Sequence, residues 1–167
     1  MSIEPQLVTR EATIEIEAGI SRVFPLFEPL NEKLWIESWD PRIIYPSSGQ
    51  ATEDMIFTTK PRFEGEPDYR WVLTRLDRTE HRIHYTVSTL ERIWFIKIRC
   101  TPESKTTRAT IRYSWVGLTP EGHVKNLQAM EQIFRDNLRD WERGLNTYLA
   151  SERSHNAGQG NFRHKER

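Results

Sequence analysis

The sequence predicts an α+β fold in which a curved antiparallel sheet of six to seven strands is covered by a long C-terminal helix. Two observations support this fold class. Short runs of alternating apolar and polar residues recur along most of the chain, as in strands that bury one face. The segment after residue 119 instead repeats its apolar residues at helical spacing. With 167 residues and no internal repeat, the chain suits a single domain, predicted over residues 1–150.

The first strand is expected at 7–18, where apolar residues alternate with threonine and glutamate. Gly19 ends this pattern. Apolar residues then recur at helical spacing on both sides of Pro29, which interrupts a helix because it has no backbone N–H donor. We therefore expect two short helices after the first strand, at about 21–28 and about 30–36.

Six further segments complete the predicted sheet. They are expected at 43–45, 55–59, 69–76, 82–89, 92–100 and 107–116. In the last four, the apolar residues share one face, whereas arginine, threonine, serine and histidine occupy the other. One face of this antiparallel meander is therefore covered, and the other is solvated. The segment 60–68 holds two prolines and a glycine and is a candidate lid loop.

The C-terminal helix is expected to cover the sheet. Thr119 and Pro120 form an N-cap and first-turn pair, and the helical pattern continues to about residue 149. A helix of roughly 30 residues spans about 45 Å. Its apolar stripe is centred on Phe134, so the helix is predicted to pack across the concave face of the sheet. Residues 151–167 have few apolar side chains and are predicted to form a disordered tail.

Composition and charge argue against several classes of protein. The chain has 24 lysines and arginines and 24 aspartates and glutamates, so no net positive charge supports nucleic-acid binding. No apolar run approaches the roughly 18 residues of a membrane span, and the start of the chain has no signal-peptide pattern, which favours a cytoplasmic location. The single cysteine, Cys100, leaves no internal disulfide and is expected to be a buried apolar residue. A homodimer is compatible with the sequence.

Four stretches carry a family resemblance: ATIEIEAGISRVFPLF, KLWIESWDP, YRWVLTRLD and TRATIRYSWVGLTPEGH. They resemble the START-like, or SRPBCC, superfamily, and within it the bacterial polyketide cyclase/dehydratase-like proteins. The resemblance covers residues 8–149. It implies the helix-grip fold, with a cavity between the last helix and the sheet for apolar or amphipathic ligands. It carries over no catalytic residue, because none of the family's catalytic side chains matches a position in this chain.

Aromatic residues predicted to face inward mark the candidate ligand site. The chain has six tryptophans, five tyrosines and seven phenylalanines, and buried tyrosine hydroxyls need partners that a solid core rarely supplies. Glu131 lies about 60° from the centre of the helix stripe, where its carboxylate would orient a polar ligand group or act as a general acid or base. The predicted ligand-binding residues are Trp35, Trp39, Phe57, Trp71, Tyr85, Tyr113, Trp115, Met130, Glu131 and Phe134.

Three functions remain open at this stage. The first is binding or transport of an apolar or aromatic small molecule. The second is an enzyme of the cyclase, dehydratase or isomerase type, which needs a shaped pocket and one acid or base, with Glu131, Tyr85 and Tyr113 as candidates. The third is an interaction module similar to the activators of a chaperone ATPase, which predicts a filled interior and an exposed apolar patch.

Neither a metal nor a cofactor is expected. His81 and His84 would point to opposite faces of a strand and so cannot readily share a metal ion. The sequence has no glycine-rich phosphate loop and no serine nucleophile elbow. Glu32 and Glu37 lie near two tryptophans and form either a carboxylate pair or solvated surface, and solvated surface is the expectation.

Overall fold

The structure, a computed structural model, describes residues 4–165, with side chains described as far as Asn156. Seven strands form one antiparallel sheet in the order β1-β7-β6-β5-β4-β3-β2. The strands are β1 (Gln6–Ile16), β2 (Arg42–Tyr45), β3 (Met55–Thr59), β4 (Tyr69–Asp77), β5 (Arg82–Ser88), β6 (Arg92–Pro102) and β7 (Thr107–Gly117). The helices are α1 (Ile20–Val23), α2 (Pro120–Ile133) and α3 (Arg139–Lys165). The predicted fold class is confirmed.

Alternation in the sequence determines which side chains of the sheet face inward. In β5, β6 and β7, every second residue is buried. Antiparallel pairing sets these residues opposite one another, as with Ile98 opposite Ile111 and Trp94 opposite Trp115. Cys100 belongs to this core, and burial raises the pKa of its thiol to about 12. The inward faces of these strands therefore form a continuous apolar surface.

The segment after β1 is more tightly wound than the two short helices predicted for it. Helix α1 has a single turn, and 3-10 turns follow at Phe24–Phe27 and Asn31–Leu34. Pro25, the second residue of the first 3-10 turn, supplies no N–H to continue α1. Two indoles hold the segment together, since Trp35 Nε1 donates to the Leu26 carbonyl at 2.7 Å and Trp39 Nε1 donates to the Pro29 carbonyl at 2.6 Å. Both tryptophans thereby acquire fixed positions.

The C-terminal helix is interrupted, so the prediction of one continuous helix was wrong. Between α2 and α3, Asn137 and Leu138 have φ angles of 55° and 63°, in the left-handed region that ends an α-helix. Phe134 and Leu138, on either side of the start of the break, both lie in the core, where they are 3% and 0% exposed. Helix α2 is rotated relative to the predicted helix. Leu127 belongs to the predicted stripe centred on Phe134 but is exposed, and Ala129 is buried instead.

Helix α3 continues past residue 150 to Lys165 and so includes a segment that the sequence predicted to be disordered. The first turns beyond that point are held to the start of the chain. Glu152 pairs with Arg22 at 3.0 Å, and Arg153 Nη1 donates to the Glu17 carbonyl at 2.9 Å. Adding residues to a helix that has already formed costs little compared with starting one, which accounts for a polar continuation.

The same helix covers the edge of the sheet at β1. The backbone N–H groups of Glu15 and Glu17 donate to the side chains of Glu142 and Asn146, each at 2.8 Å. An edge strand otherwise leaves such donors unpaired. These side-chain acceptors fasten α3 along β1.

A candidate ligand cavity between sheet and helices

A cavity of about 640 Å³ lies between the inward face of the sheet and the two C-terminal helices. Its size is within the range of small-molecule sites. It is lined by Glu32, Ile36, Ser38, Trp39, Asp40, Thr59, Lys60, Pro61, Arg62, Tyr69, Trp71, Tyr85, Arg92, Trp94, Ile96, Ile98, Tyr113, Trp115, Ala129, Ile133, Asp140 and Trp141. The lining therefore combines the tight segment after β1, the loop after β3, the central strands and both helices.

Aromatic rings form most of the wall and hold one another in place by edge-to-face contacts. Trp71 is central, with its ring centroid 5.3 Å from Trp39 and 5.6 Å from Tyr85, and its Nε1 donates to Thr59 Oγ1 at 2.8 Å. On the other side, the Tyr113 ring lies 6.4 Å from Trp141. Such pairs favour one arrangement of the rings, so the wall is preorganised.

Five of the ten residues predicted to bind ligand line this cavity: Trp39, Trp71, Tyr85, Tyr113 and Trp115. Four others lie behind the lining. Trp35 packs between Phe27 and Trp141, Phe57 stacks on Trp71 with centroids 5.4 Å apart, and Phe134 packs on Tyr113 and Trp115. Met130 is partly buried against the core. These four support the wall without forming its surface.

Glu131, the tenth, is exposed and does not line the cavity. The prediction placed it at the border of a continuous helix stripe centred on Phe134. Because the helix breaks immediately after Phe134, α2 presents Gly122, Asn126 and Ala129 as its buried residues, and Glu131 lies outside that face. The prediction of a cavity carboxylate at this position was therefore wrong.

A different carboxyl group, that of Glu32, occupies the cavity. Glu32 is 7% exposed, and its side chain makes no hydrogen bond or ion pair within the part of the chain that the structure describes. Its inward orientation follows from the 3-10 turn Asn31–Leu34, in which residues three apart lie on the same side. Glu32 and Trp35 are three apart and both face inward. The three-residue spacing from Trp35 could have predicted an inward Glu32 from the sequence, but solvated surface was expected for this glutamate.

Burial determines the protonation behaviour of the cavity groups. Removal from water raises the pKa of Glu32 well above its usual range, which favours the neutral acid. Burial also raises the pKa of Tyr85 and of Tyr113, and the nearby Glu32 carboxyl adds to both effects. All three groups are therefore favoured in their uncharged, proton-bearing forms.

The two cavity tyrosines differ in their hydrogen bonds. The Tyr85 hydroxyl donates to the Phe27 carbonyl at 2.6 Å. For the Tyr113 hydroxyl, the described residues offer no hydrogen-bond partner. The carboxyl of Glu32 and the hydroxyl of Tyr113 are thus two buried oxygen-bearing groups of the cavity wall without a partner in the described chain.

A buried ion pair closes one end of the cavity. Arg92 is 1% exposed, and its Nε and Nη2 donate to the two carboxylate oxygens of Glu66 at 3.1 and 3.0 Å. Arg92 also donates to the Tyr69 hydroxyl at 2.7 Å and to Asn126 Oδ1 at 3.3 Å, and its guanidinium lies 4.4 Å from the centroid of the Trp94 ring. This cluster joins the loop before β4 to β4, β6 and α2. Arginine is suited to such a site because its planar group binds a carboxylate at two points.

Burial and hydrogen bonding have opposite effects on the ionisation of Glu66 in this cluster. Burial works against ionisation of Glu66, but hydrogen bonds from Arg92 and Tyr69 outweigh it and hold the pKa of Glu66 below its usual range. Burial, and then the bond to Glu66, raises the pKa of Tyr69 to about 12. Sequence analysis missed this pair, although alternation already placed Arg92 on the same face as Trp94.

Glu32→Gln should stabilise the protein increasingly as the pH rises. The folded pKa of Glu32 is raised above its unfolded value of about 4.3, so the unfolded chain loses this proton first and wild-type stability declines above that pH. The glutamine variant has no titrating group at this position, so it does not lose stability in this way. Urea unfolding at pH 4, 6 and 8 should show a difference in unfolding free energy that grows with pH. Glu131→Gln, which replaces an exposed carboxylate, is the control. A Glu32→Gln variant that is less stable than the wild-type protein at pH 8 would contradict this account.

Comparison with protein-family models and with curated protein sequences finds no match. In the described part of the chain, no group of three or more histidine, cysteine, aspartate or glutamate side chains is placed to hold a metal ion. Among residues 4–165, none of the helices is long and apolar enough to cross a membrane.

Solved structures share the fold. A norcoclaurine synthase point mutant from Thalictrum flavum, in complex with a transition-state analogue, matches with a TM-score of 0.65 at 13% identity, over 90% of this chain and 99% of that one. Ara h 8.0201 matches with a TM-score of 0.60 at 13% identity, over 87% and 99%. The Mll3558 protein from Rhizobium loti matches with a TM-score of 0.60 at 15% identity, over 86% and 100%. The chain therefore has the helix-grip fold of these proteins.

Proposed function

We propose that the protein binds an apolar or amphipathic small molecule in the cavity between the sheet and the helices. The observation that carries this proposal is the cavity itself, about 640 Å³ in volume and walled by aromatic rings. An unfilled space in a core is costly, because the atoms around it lose contacts that close packing would supply. A ligand that fills it recovers those contacts.

The composition of the wall supports a ligand with aromatic or other apolar bulk. Trp39, Trp71, Tyr85, Tyr113 and Trp141 offer ring faces and edges, which is typical of small-molecule sites. A norcoclaurine synthase from Thalictrum flavum, similar in fold, was solved in complex with dopamine and hydroxybenzaldehyde. Small aromatic molecules are therefore the first class to test.

An enzyme of the cyclase, dehydratase or isomerase type is the second candidate, and a specific observation favours it. Glu32 places one uncharged acid in an aromatic cavity, where it is suited to general acid catalysis. This role was predicted for Glu131, which does not line the cavity. The third function, an interaction module similar to chaperone-ATPase activators, receives less support, because it predicts a filled interior.

Ligand binding should raise the stability of the native state. At a ligand concentration of about 100 times Kd the gain is about 2.7 kcal/mol, which corresponds to roughly 5–10 °C in Tm for a chain of this size. The measurement is thermal unfolding with 2-naphthol, indole, decanol and 2-acetylnaphthalene as probes, together with native mass spectrometry of the purified protein for any co-purified molecule.

Ala129 offers a way to fill the cavity. Its small side chain lines the cavity from α2, so Ala129→Leu should abolish the ligand-induced shift. Ala150→Leu, at an exposed position of α3, is the matched control and should retain it. Circular dichroism establishes that both variants are folded. No shift in the wild-type protein with any probe, and no co-purified molecule, would overturn the proposed function.

A further inference from the structure

We propose that Glu32 and Tyr113 together bind an oxygen acceptor on the ligand, so that the cavity selects an uncharged carbonyl compound over the hydrocarbon of the same shape. The inference rests on the proposed ligand-binding function and adds the chemical class of the ligand. Its basis is the placement of two proton-bearing groups, both open to one aromatic cavity and both without a partner in the described chain.

Several other polar groups along the wall already have protein partners. These bonds are Trp39 to the Pro29 carbonyl, Trp71 to Thr59, Tyr85 to the Phe27 carbonyl, and Arg92 and Tyr69 to Glu66. The indole nitrogen of Trp115 has no acceptor either, but it is closed off from the cavity by its neighbours. Glu32 and Tyr113 are therefore buried side chains whose oxygen atoms face the cavity without a partner in the described chain. The indoles of Trp94 and Trp141 and the exposed Ser38 hydroxyl also line the cavity, so the Tyr113 and Glu32 variants are needed to locate the selectivity.

Glu32, from the 3-10 turn, and Tyr113, from β7, line the same cavity. Burial raises the pKa of Tyr113, and the charge of an ionised Glu32 would add to that effect. Since burial favours the neutral acid, both groups are hydrogen-bond donors in their stable forms. A carbonyl oxygen has two lone pairs and accepts from both donors at once.

The chemistry also explains which ligands are rejected. A hydrocarbon at this position leaves two buried donors without acceptors, and a site built to hydrogen-bond a polar group discriminates strongly against an analogue that lacks it. A carboxylate ligand would have to lose its hydration in the cavity, and two uncharged donors offset that cost only in part. An uncharged ketone or aldehyde avoids both penalties.

Three probes of nearly equal shape test this inference: 2-acetylnaphthalene, 2-isopropenylnaphthalene and 2-naphthoate. Their Kd values are measured at pH 7 by isothermal titration calorimetry with the full-length chain. We expect the wild-type protein to bind the ketone about tenfold or more tightly than the alkene, because the alkene leaves both donors without acceptors. We expect weak binding of the naphthoate, because its charge must be desolvated.

Matched tyrosine variants locate the selectivity. Tyr113→Phe should reduce the ketone-to-alkene preference to about threefold or less, because it removes a hydroxyl that has no protein partner. Tyr85→Phe deletes a hydroxyl already bonded to Phe27, so it should change both affinities together and keep the wild-type ratio. Glu32→Leu should also lower the ratio, whereas Glu32→Gln, which retains a donor, should preserve it. Glu131→Gln lies outside the cavity and should leave all three Kd values unchanged.

Each result has a distinct meaning. Equal binding of ketone and alkene by the wild-type protein would overturn this inference and leave the proposed binding function standing. Equal loss of the ratio in Tyr113→Phe and Tyr85→Phe would also overturn it, because packing rather than the free hydroxyl would then determine selectivity. Absence of binding by all three probes, together with no thermal shift in the wider set, would overturn both.

Discussion

Arg92→Met should lower the free energy of unfolding by about 3–5 kcal/mol, the largest effect we expect from one side chain. The substitution keeps much of the buried apolar stem but leaves the Glu66 carboxylate without its partner at a position where both side chains are 1% exposed. An uncompensated buried charge is far more costly than the intact pair is favourable. Urea unfolding at pH 7 measures the change.

The double variant Arg92→Met with Glu66→Gln is the control, because it removes both charges. It should recover a large part of the loss, so the two substitutions should be strongly non-additive. Additive losses would show that the cost comes from packing around the arginine stem rather than from the unpaired carboxylate.

The contribution of this ion pair to the stability of the wild-type protein also depends on pH in the acid range. Because the folded pKa of Glu66 is depressed, its contribution is present above the unfolded pKa of about 4.3 and is lost as the pH falls through the folded value.

Gly122→Ala should destabilise the protein by about 1–3 kcal/mol, although alanine favours a helix interior over glycine by about 1 kcal/mol. A Cβ at this position would lie 2.0 Å from the carbonyl oxygen of Glu91, so backbone must move. The same oxygen accepts from the Leu118 N–H at 2.8 Å, and the Glu91 side chain pairs with Lys125 at 2.7 Å. The first turn of α2 therefore rests directly on the turn between β5 and β6.

Gly19→Ala is the matched control, since nothing lies within 4 Å of a Cβ built there. Its stability should remain within about 0.5 kcal/mol of wild type. Thermal and urea unfolding of both variants give the comparison. A Gly122→Ala variant as stable as wild type would indicate that α2 shifts freely on the sheet. In that case the Arg92–Asn126 contact at 3.3 Å could not be a fixed anchor for the helix.

Strand periodicity accounts for the parts of the fold and site that were predictable. A residue and its second neighbour along a strand face the same side, so the inward positions of Tyr85 and Tyr113 followed from the pattern alone. Arg92 follows the same alternation, but a charged side chain is usually found at the surface. Strand alternation alone places Arg92 on the inward face of the sheet. Only its partner, the Glu66 carboxylate on a distant loop, explains why an arginine is stable there.

The break in the C-terminal helix was not predictable from periodicity. Apolar residues continue at helical spacing through Phe134 and Leu138, and no proline or glycine marks the interruption. Asn137 was the one local signal, because asparagine tolerates the left-handed conformation better than most residues. Only the structure shows the break, because Phe134 and Leu138 would share one face of a continuous helix. The exposed position of Glu131 and the exposure of Leu127 both follow from it.

The interruption at Asn137 and Leu138 also bears on how fast a ligand would exchange. It divides the helical part of the cavity wall between α2 and α3, which are held to the sheet by separate contacts. Ala129 and Ile133 line the cavity from α2, whereas Trp141 lines it from α3. Helix α3 is fixed to the edge strand by side chains that accept backbone N–H groups, while α2 is fixed through its first turn and the bond to Arg92. For the proposed ligand, this arrangement would allow entry by displacement of one short helix about the break, while the sheet and α3 stay assembled. The barrier to exchange would then depend on local opening of α2 rather than on unfolding of the domain.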